Sequence, residues 1–427
     1  MQFLFQVGRI DGQRALLAAW ACWLLCFLAM PISTVSYGTV QTVALFICAN
    51  AALLFGLSCG SWVPQKSTHL SYQEEDLSRI LFLIAFAGIF AIVAKLIDLT
   101  VYRGILEATS FTEGRQRMES NGSNLFSGIY FGLSPVIAAG GILSLVLIGN
   151  KRYRRLSITA LVLFCINPIF SFVFGGRSIL FMTAGLIVIT WSLLVPKVTK
   201  PQLLCLFGLG AALFFVTMYL FVGRVTEAVG EHVEILAAGS HYTKLVPLNI
   251  DTIETMRDLP RLERYFLYYV TSVGQYIVHG VFEFFYLVQA KSQEQGLLWG
   301  RYQFTLYDQA LRAMLGPGDV PDLEVFNPTT GLFSTFWGPA YIDFGYLMVI
   351  YGFLFGYVTG RVRGLVERGD LFALPLYALL IFQIFLVPIA NGLLMASSVV
   401  LNVGFFGIWL LTRWYLAGNT KAVNVAG

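Results

Sequence analysis

Ten apolar runs, each long enough to cross a lipid bilayer, constrain the fold of this 427-residue chain more than any other feature. A helix needs about 20 mostly apolar residues to cross the hydrocarbon core. In a chain that is 57% hydrophobic and only 12% charged, such runs predict an all-α polytopic membrane protein. The predicted spans are 14–31, 38–61, 79–100, 127–149, 155–174, 178–195, 202–222, 338–360, 371–392 and 395–415.

The positive charges of the short loops predict the orientation of the chain. Fifteen Lys and Arg residues lie in tails and short loops on one side, most densely in "NKRYRR" (150–155) and "RVRGLVERG" (361–369). By the positive-inside rule this side is cytoplasmic, together with both termini. Three regions follow: an N-terminal bundle of about seven helices (1–222), a large external loop (223–333) and about three C-terminal helices (334–427).

The external loop is where chemistry is expected. It holds eight Lys and Arg against thirteen Asp and Glu, a net charge of −5. Its most apolar stretch, 264–290, is predicted to be an amphipathic or membrane-dipping helix, because a further crossing would put the basic loops on opposite sides. Polar residues recur there at every fourth position and share one helix face, which is expected to border a wet cavity. They are Thr271, Gln275, His279 and Glu283.

Three arginines are candidates for binding a phosphate-containing substrate. Arg177 follows two glycines in a tight turn between predicted spans, Arg224 begins the external loop, and Arg301 lies within it. A guanidinium can hold a phosphate through two parallel hydrogen bonds, and ionisable groups at membrane depth are usually functional. The alternative for Arg177 is a turn residue whose side chain reaches the lipid headgroups. For the other two it is a solvated charge.

Three residues are candidates for a general base. His279 and Glu283 lie one helical turn apart and could transfer a proton or bind sugar hydroxyls, or else form a polar stripe that only faces water. Asp343 lies at the external end of the eighth span, where it could also cap a helix. No residues have the spacing of a metal site, and all six cysteines lie in apolar segments. Neither a metal nor another cofactor is predicted, and no feature indicates nucleic-acid binding.

The stretch "FNPTTGLFSTFWGPAYIDFGYLMVIYGFLFGYVTGRV" (326–362) leads into the eighth span. Four glycines fall close to one helix face there and predict close helix packing in the membrane. They are Gly345, Gly352, Gly356 and Gly360. Asn327 and Tyr341 of this stretch, with Gln275, are candidate substrate-binding residues.

Two of these segments resemble a known enzyme family. "NPTTGLFSTFWGPAYIDFGYLMVIYGFLFG" (327–356) resembles the segment after the large periplasmic loop of O-antigen polymerases, the Wzy-type oligosaccharide repeat-unit polymerases of bacterial inner membranes. "FVFGGRSIL" (172–180) is similar to their Gly-Gly/Ser-Arg turn between two mid-chain spans. The predicted number of spans and the single long loop agree with this family over most of the chain.

The resemblance implies a metal-independent, inverting glycosyltransferase with a GT-C-like membrane fold. Such an enzyme transfers a growing glycan from undecaprenyl diphosphate to the next lipid-linked repeat unit on the periplasmic side. On this mechanism Arg177 and Arg224 hold the diphosphate, and Asp343, Glu283 or His279 deprotonates the acceptor hydroxyl. The implied partners are undecaprenyl-diphosphate-linked glycans and the lipid bilayer, and a chain-length regulator is left open as a further partner.

Two other functions stay open at this point. An O-antigen ligase shares the architecture and the donor but transfers finished polymer to the lipid A core, and His232 and His241 in the loop keep this alternative open. A lipid-linked oligosaccharide flippase or a secondary transporter would also be polytopic. Transporters tend to have repeated halves, and the sequence has no such repeat.

Overall fold

Helices make up most of the computed structural model, which describes residues 11–33, 38–62, 72–108, 110–120, 122, 124–172, 178–195, 199–230, 232–239, 244–290, 296–316, 323–327, 334–394 and 396–425. Within these ranges, β-structure is limited to two isolated bridges, which join Ile32 to Leu248 and Thr335 to Ala390. In chain order the α-helices are α1 (Gly12–Ala29), α2 (Val40–Trp62), α3 (Glu74–Ile97), α4 (Phe111–Ser120), α5 (Leu125–Leu147), α6 (Arg154–Phe172), α7 (Ser178–Leu194), α8 (Lys200–Val229), α9 (Val233–Gly239), α10 (Ile250–Asp258), α11 (Arg261–Ala290), α12 (Thr305–Leu315), α13 (Trp337–Phe344), α14 (Met348–Glu367), α15 (Leu374–Phe385) and α16 (Ala396–Val425).

Seven helical segments of the described chain are long and apolar enough to cross a membrane. They coincide with seven of the predicted spans and are Gly12–Ala29, Val40–Trp62, Glu74–Tyr102, Leu125–Leu147, Lys200–Glu227, Trp337–Glu367 and Ser398–Leu416. The predicted spans 178–195 and 371–392 fall on shorter apolar helices, and 155–174 falls on α6. The chain is therefore an all-α membrane protein with several spans, and a total of ten crossings remains a prediction.

The ends of the helices lie on two opposite faces of the bundle. On one face, Arg152 beside the start of α6 lies 2.6 Å from Glu74 at the start of α3. Arg413 of α16 lies 2.9 Å from Asp370, which precedes α15. We call this side the basic face, because the short loops rich in Lys and Arg lie on it. We call the opposite side, which carries the segment 223–333, the loop face.

The contact between α2 and α14 depends on glycine. A Cβ atom built on Gly356 would lie 2.3 Å from the carbonyl oxygen of Leu53, and one on Gly56 would lie 2.1 Å from that of Phe353. Any side chain at these positions would overlap the neighbouring backbone, so the two helices approach closely only because both are glycine. The predicted packing role is confirmed for Gly356 and for Gly360, which lies against the carbonyl oxygen of Leu57, while Gly352 packs mainly against the ring of Trp337.

Two of the predicted spans are interrupted on the loop face. Gly345 has a φ of +54° and separates α13 from α14, so it breaks the helix and does not pack like the other three glycines. α15 ends at Phe385, and the chain then follows turns as far as 394. Pro388 explains this second break, because proline lacks the amide donor that a continuing helix needs. The expectation of an uninterrupted helix over 371–392 is therefore wrong.

α15 forms the centre of the bundle, whereas α8 lies at its edge. Every residue from Leu371 to Ile381 is buried. A helix that is apolar on all sides is typical of such a central position. Only Thr217 and Leu220 are buried among the described residues of α8, and an exposed apolar surface of this kind suits contact with lipid.

α11 lies against the loop-face ends of the first two helices. Met30, just after α1, contacts the backbone at Gly274, and Phe285 lies against Gly38, just before α2. Among the described helices, α11 is not one of the seven candidate spans. The predicted helix over 264–290 is confirmed, and its amphipathic or membrane-dipping position remains a prediction.

Candidate functional site

The four polar residues predicted to share one face of α11 are all buried: Thr271, Gln275, His279 and Glu283. The Nε2 atom of Gln275 donates to the carbonyl oxygen of Val246 at 2.8 Å, so the chain before α10 covers part of this face. The expectation that the polar line borders a wet cavity is therefore wrong. Segments distant in the sequence enclose it.

His279 is held in one tautomer by its own helix. Its Nδ1 atom lies 3.0 Å from the carbonyl oxygen of Gln275. Because a carbonyl can only accept, Nδ1 carries the proton in this bond. In the neutral imidazole, Nε2 is then the atom that can accept a proton.

Three backbone segments meet beside His279. A Cβ atom built on Gly280 would lie 2.7 Å from the carbonyl oxygen of Ile389 and 3.1 Å from the amide nitrogen of Thr335. Glycine lets α11 touch both the segment before α13 and the turns after α15. Non-helical backbone at membrane depth occurs where it is buried in protein or lines a cavity, and it frequently marks a functional site.

The two irregular segments are joined to each other by hydrogen bonds. The amide of Phe336 donates to the carbonyl oxygen of Val387 at 3.0 Å. The Nδ2 atom of Asn391 donates to the carbonyl oxygen of Phe336 at 3.1 Å and to Oε1 of Gln303 at 2.8 Å. We call His279, Glu283, Gln303, Thr335 and Asn391 the loop-face cluster, and all five are buried.

Thr335 is strained at the centre of this arrangement. It has a φ of +62° although it is β-branched, and it is fully buried. Such a conformation costs about 1–3 kcal/mol and is found mainly where the surrounding structure enforces it, often at functional sites. The hydroxyl of Thr335 accepts a hydrogen bond from the amide of Trp337 at 3.1 Å, which helps to hold the turn into α13.

Two buried glutamine amides lack hydrogen-bond partners among the described residues. They are the Nε2 atom of Gln303 and both amide atoms of Gln383, a residue of α15 whose side chain lies against Gly392. A buried polar group without a partner costs about 1–3 kcal/mol. Both side chains therefore retain hydrogen-bonding capacity that a polar substrate could use.

Asp343 anchors the turn that carries Gln303. Its Oδ1 atom accepts from the amide of Tyr302 and its Oδ2 atom from the amide of Gln303, each at 2.9 Å. Its own carbonyl oxygen accepts from the amide of Trp299 at 3.1 Å. A buried carboxylate with both oxygens bound to backbone amides suits the positioning of Gln303 better than proton transfer.

The structure gathers most of the predicted site residues into this one region. Asn327 donates from Nδ2 to the hydroxyl of Tyr302 at 3.1 Å, beside Asp343. The ring of Tyr341 stands edge-on to that of Phe284 with centroids 6.3 Å apart, next to Glu283 on α11. The predicted residues of α11, α13 and the loop thus lie together.

The predicted arginines are distributed differently. Arg301 is adjacent to Tyr302, but its Nη2 atom lies 3.0 Å from Oδ1 of Asp308. Arg312 binds the other carboxylate oxygen at 2.7 Å, so two guanidinium groups share one buried acid. Arg224 lies in α8, and Arg177 lies outside the described residues. Their role in binding a diphosphate stays a prediction.

A buried cluster of charged residues lies at the end of α3, on the loop face. Asp98 lies 2.8 Å from Nε of Arg103 and 3.3 Å from Nζ of Lys95, and it accepts from Asn124 at 2.7 Å. The guanidinium of Arg103 also donates to the carbonyl oxygen of Gly122 at 2.7 Å, which fastens the chain before α5. Sequence reasoning did not assign these residues a role, although charges within an apolar run were an available signal.

No three His, Cys, Asp or Glu side chains of the described chain lie close enough to hold a metal ion. No protein-family model, no curated protein and no solved structure matches the chain. The function is therefore inferred from the residues of the chain itself.

Proposed function

We propose that the chain is a glycosyltransferase of the bacterial inner membrane that polymerises undecaprenyl-diphosphate-linked oligosaccharide repeat units on the periplasmic side. The observation that carries the proposal is the loop-face cluster. It combines two candidate proton acceptors on α11 with strained, irregular backbone from two interrupted helices. A membrane bundle that keeps such polar groups near one face suits a substrate with a lipid tail and a polar head.

The proposed reaction is an inverting transfer. The acceptor hydroxyl of one lipid-linked repeat attacks the anomeric carbon of the glycan on the other carrier. A new C–O bond forms as the C–O bond to the diphosphate breaks. The hydroxyl proton passes to a protein base, and the diphosphate leaves with the bonding electron pair.

Two residues of the loop-face cluster are the preferred candidates for the base. Glu283 offers a carboxylate and His279 offers the Nε2 atom of an imidazole held by Gln275. Asp343 is placed third, because both of its carboxylate oxygens accept backbone amides. Gln303 and Gln383 are proposed to bind sugar hydroxyls through the amide atoms that have no described partner.

Arginine side chains are proposed to hold the departing diphosphate. Arg177 and Arg224 remain the candidates from the sequence, because a guanidinium can bind two phosphate oxygens at once. Arg301 is a weaker candidate, because its guanidinium and that of Arg312 both contact the carboxylate of Asp308.

The test is deletion of the gene followed by gel analysis of the surface glycan. A polymerase deletion should leave lipid carrying one repeat unit in place of a ladder. A ligase deletion would leave polymer on its carrier, and a flippase deletion would trap single units inside the cell. Either of these patterns, or a normal ladder, would overturn the proposal.

A further inference from the structure

A groove on the side of the bundle opens near the basic face, far along the helices from the loop-face cluster. It lies between α3, α6 and α16 and has a volume of about 550 Å³. Phe82, Leu83 and Leu156 supply an apolar lining, while Arg79 and Tyr415 stand among the polar lining residues. Its volume falls within the range of about 300–1,000 Å³ that is usual for sites that bind small molecules.

Two polar lining residues of the groove, Arg79 and Tyr415, contact the acidic first turn of α3. Arg79 lies 2.5 Å from Glu75, and the hydroxyl of Tyr415 lies 3.5 Å from Oδ1 of Asp76. Arg152 lies 2.6 Å from Glu74. Glu74 and Glu75 are therefore each paired with an arginine, so these two acids add no net negative charge beside the groove.

Further cations lie beside the groove and form no ion pairs with acidic residues of the described chain. Arg154 and Arg155 immediately precede Leu156 at the start of α6, and both are exposed. Neither forms an ion pair with an acidic residue of the described chain. Lys151 is exposed three residues earlier. The groove thus combines an apolar wall with an excess of positive charge at the level where a bilayer has its headgroups.

We propose that this groove binds one anionic phospholipid of the leaflet at the basic face. An acyl chain would lie along Phe82 and Leu83, and the phosphate would meet Arg154 and Arg155. Basic pockets between membrane helices on the cytoplasmic side are suited to anionic lipid headgroups. The charge complementarity selects an anionic lipid over a zwitterionic one. This inference does not rest on the proposed glycosyltransferase activity.

The experiment measures lipid binding to the purified full-length protein in mild detergent. Native mass spectrometry follows titration with phosphatidylglycerol or with phosphatidylcholine of the same acyl chains. We expect phosphatidylglycerol to bind at least tenfold more tightly. The double variant R154A/R155A should weaken phosphatidylglycerol binding about 25-fold, since each cation near the surface contributes about fivefold, and should leave phosphatidylcholine binding unchanged.

Matched variants separate a site from general surface charge. R14A/K200A removes two other cations of the basic face and should keep the wild-type affinity. Leu83→Trp fills the groove and should weaken the binding of both lipids, whereas Ile89→Trp, on the same helix outside the groove, should not. The proposal is overturned by equal affinity for the two lipids, by equal losses in R154A/R155A and R14A/K200A, or by full competition from inorganic phosphate.

Discussion

Two of the polar groups in the described part of the bundle differ in character and lie at opposite faces. On the basic face, Asp370 accepts from the Tyr72 hydroxyl at 3.2 Å, from Nε1 of Trp409 at 2.9 Å and from Arg413. We call these four residues the basic-face network. On the loop face, the loop-face cluster joins α11 to three irregular segments and includes the Gln303 Nε2 atom, which lacks a described partner. The first group is closed, and the second retains hydrogen-bonding capacity.

This difference indicates how each group contributes to the free energy of unfolding. A fully hydrogen-bonded buried carboxylate stabilises the helices that supply its donors, and removing it would leave those donors unsatisfied. A buried amide without a partner lowers stability, and each such group is a candidate for binding a ligand. We therefore expect changes in the basic-face network to affect mainly stability, and changes in the loop-face cluster to affect mainly the proposed reaction.

The largest expected effect is on activity in the loop-face cluster. Glu283→Gln should lower the rate of polymerisation by about 100-fold or more, because the glutamine amide cannot take up the proton of the attacking hydroxyl. Surface glycan in cells should fall to single repeats while the amount of folded protein stays the same. Thr271→Val serves as the control, since the Thr271 hydroxyl bonds only carbonyls of its own helix in the described contacts. A normal ladder with Glu283→Gln would remove this residue as the base.

The next effect is on stability in the basic-face network. Asp370→Ala should lower the free energy of unfolding by about 2–4 kcal/mol, because Tyr72, Trp409 and Arg413 lose a shared acceptor. Thermal melting in detergent measures this loss. Activity per folded molecule should not change. If stability stays at the wild-type value, the basic-face network does not hold these helices together.

A smaller effect is expected where α11 meets the interrupted helices. Gly280→Ala should cost about 1–3 kcal/mol, because the added methyl would lie 2.7 Å from the carbonyl oxygen of Ile389. It should also lower activity more than the fraction of folded protein explains, since it displaces His279 and Glu283. Gly132→Ala is the control, because nothing lies within 4 Å of its Cβ position. Equal melting temperatures for the two variants would argue against a close approach at Gly280.

The smallest expected effect is a gain in stability, whereas Asp370→Ala should cause a loss. Gln383→Leu should raise stability by about 1 kcal/mol, because it removes a buried amide without a described partner. The same change should lower activity if the amide binds substrate. Thermal melting and the polymerisation assay on one preparation measure both. Loss of stability would show that this amide has a structural partner.

Much of the framework could be predicted from the sequence. Each of the ten apolar runs contains helix among its described residues, although two of the runs are interrupted, because length and hydrophobicity strongly favour helix where a chain enters a membrane. The shared face of Gln275, His279 and Glu283 followed from their spacing of four residues. The packing role of Gly356 followed from glycines recurring on one helix face.

The features that define the site were harder to predict, because they depend on contacts between distant segments. The break at Gly345 and the positive φ of Thr335 have no unique local signal. Pro388 did signal the end of α15, but the apolar sequence around it favoured a continuous helix. The close approach at Gly280 involves the turns after α15 and the segment before α13, and neither is near α11 in the chain.

The most direct measurement compares both groups in one assay of the purified protein. Equal amounts of folded wild type, Glu283→Gln and Asp370→Asn receive undecaprenyl-diphosphate-linked single repeat units, and the products are separated on a gel. We expect a ladder from the wild type and from Asp370→Asn, and none from Glu283→Gln. A ladder from Glu283→Gln together with none from Asp370→Asn would contradict the assignment of chemistry to the loop-face cluster.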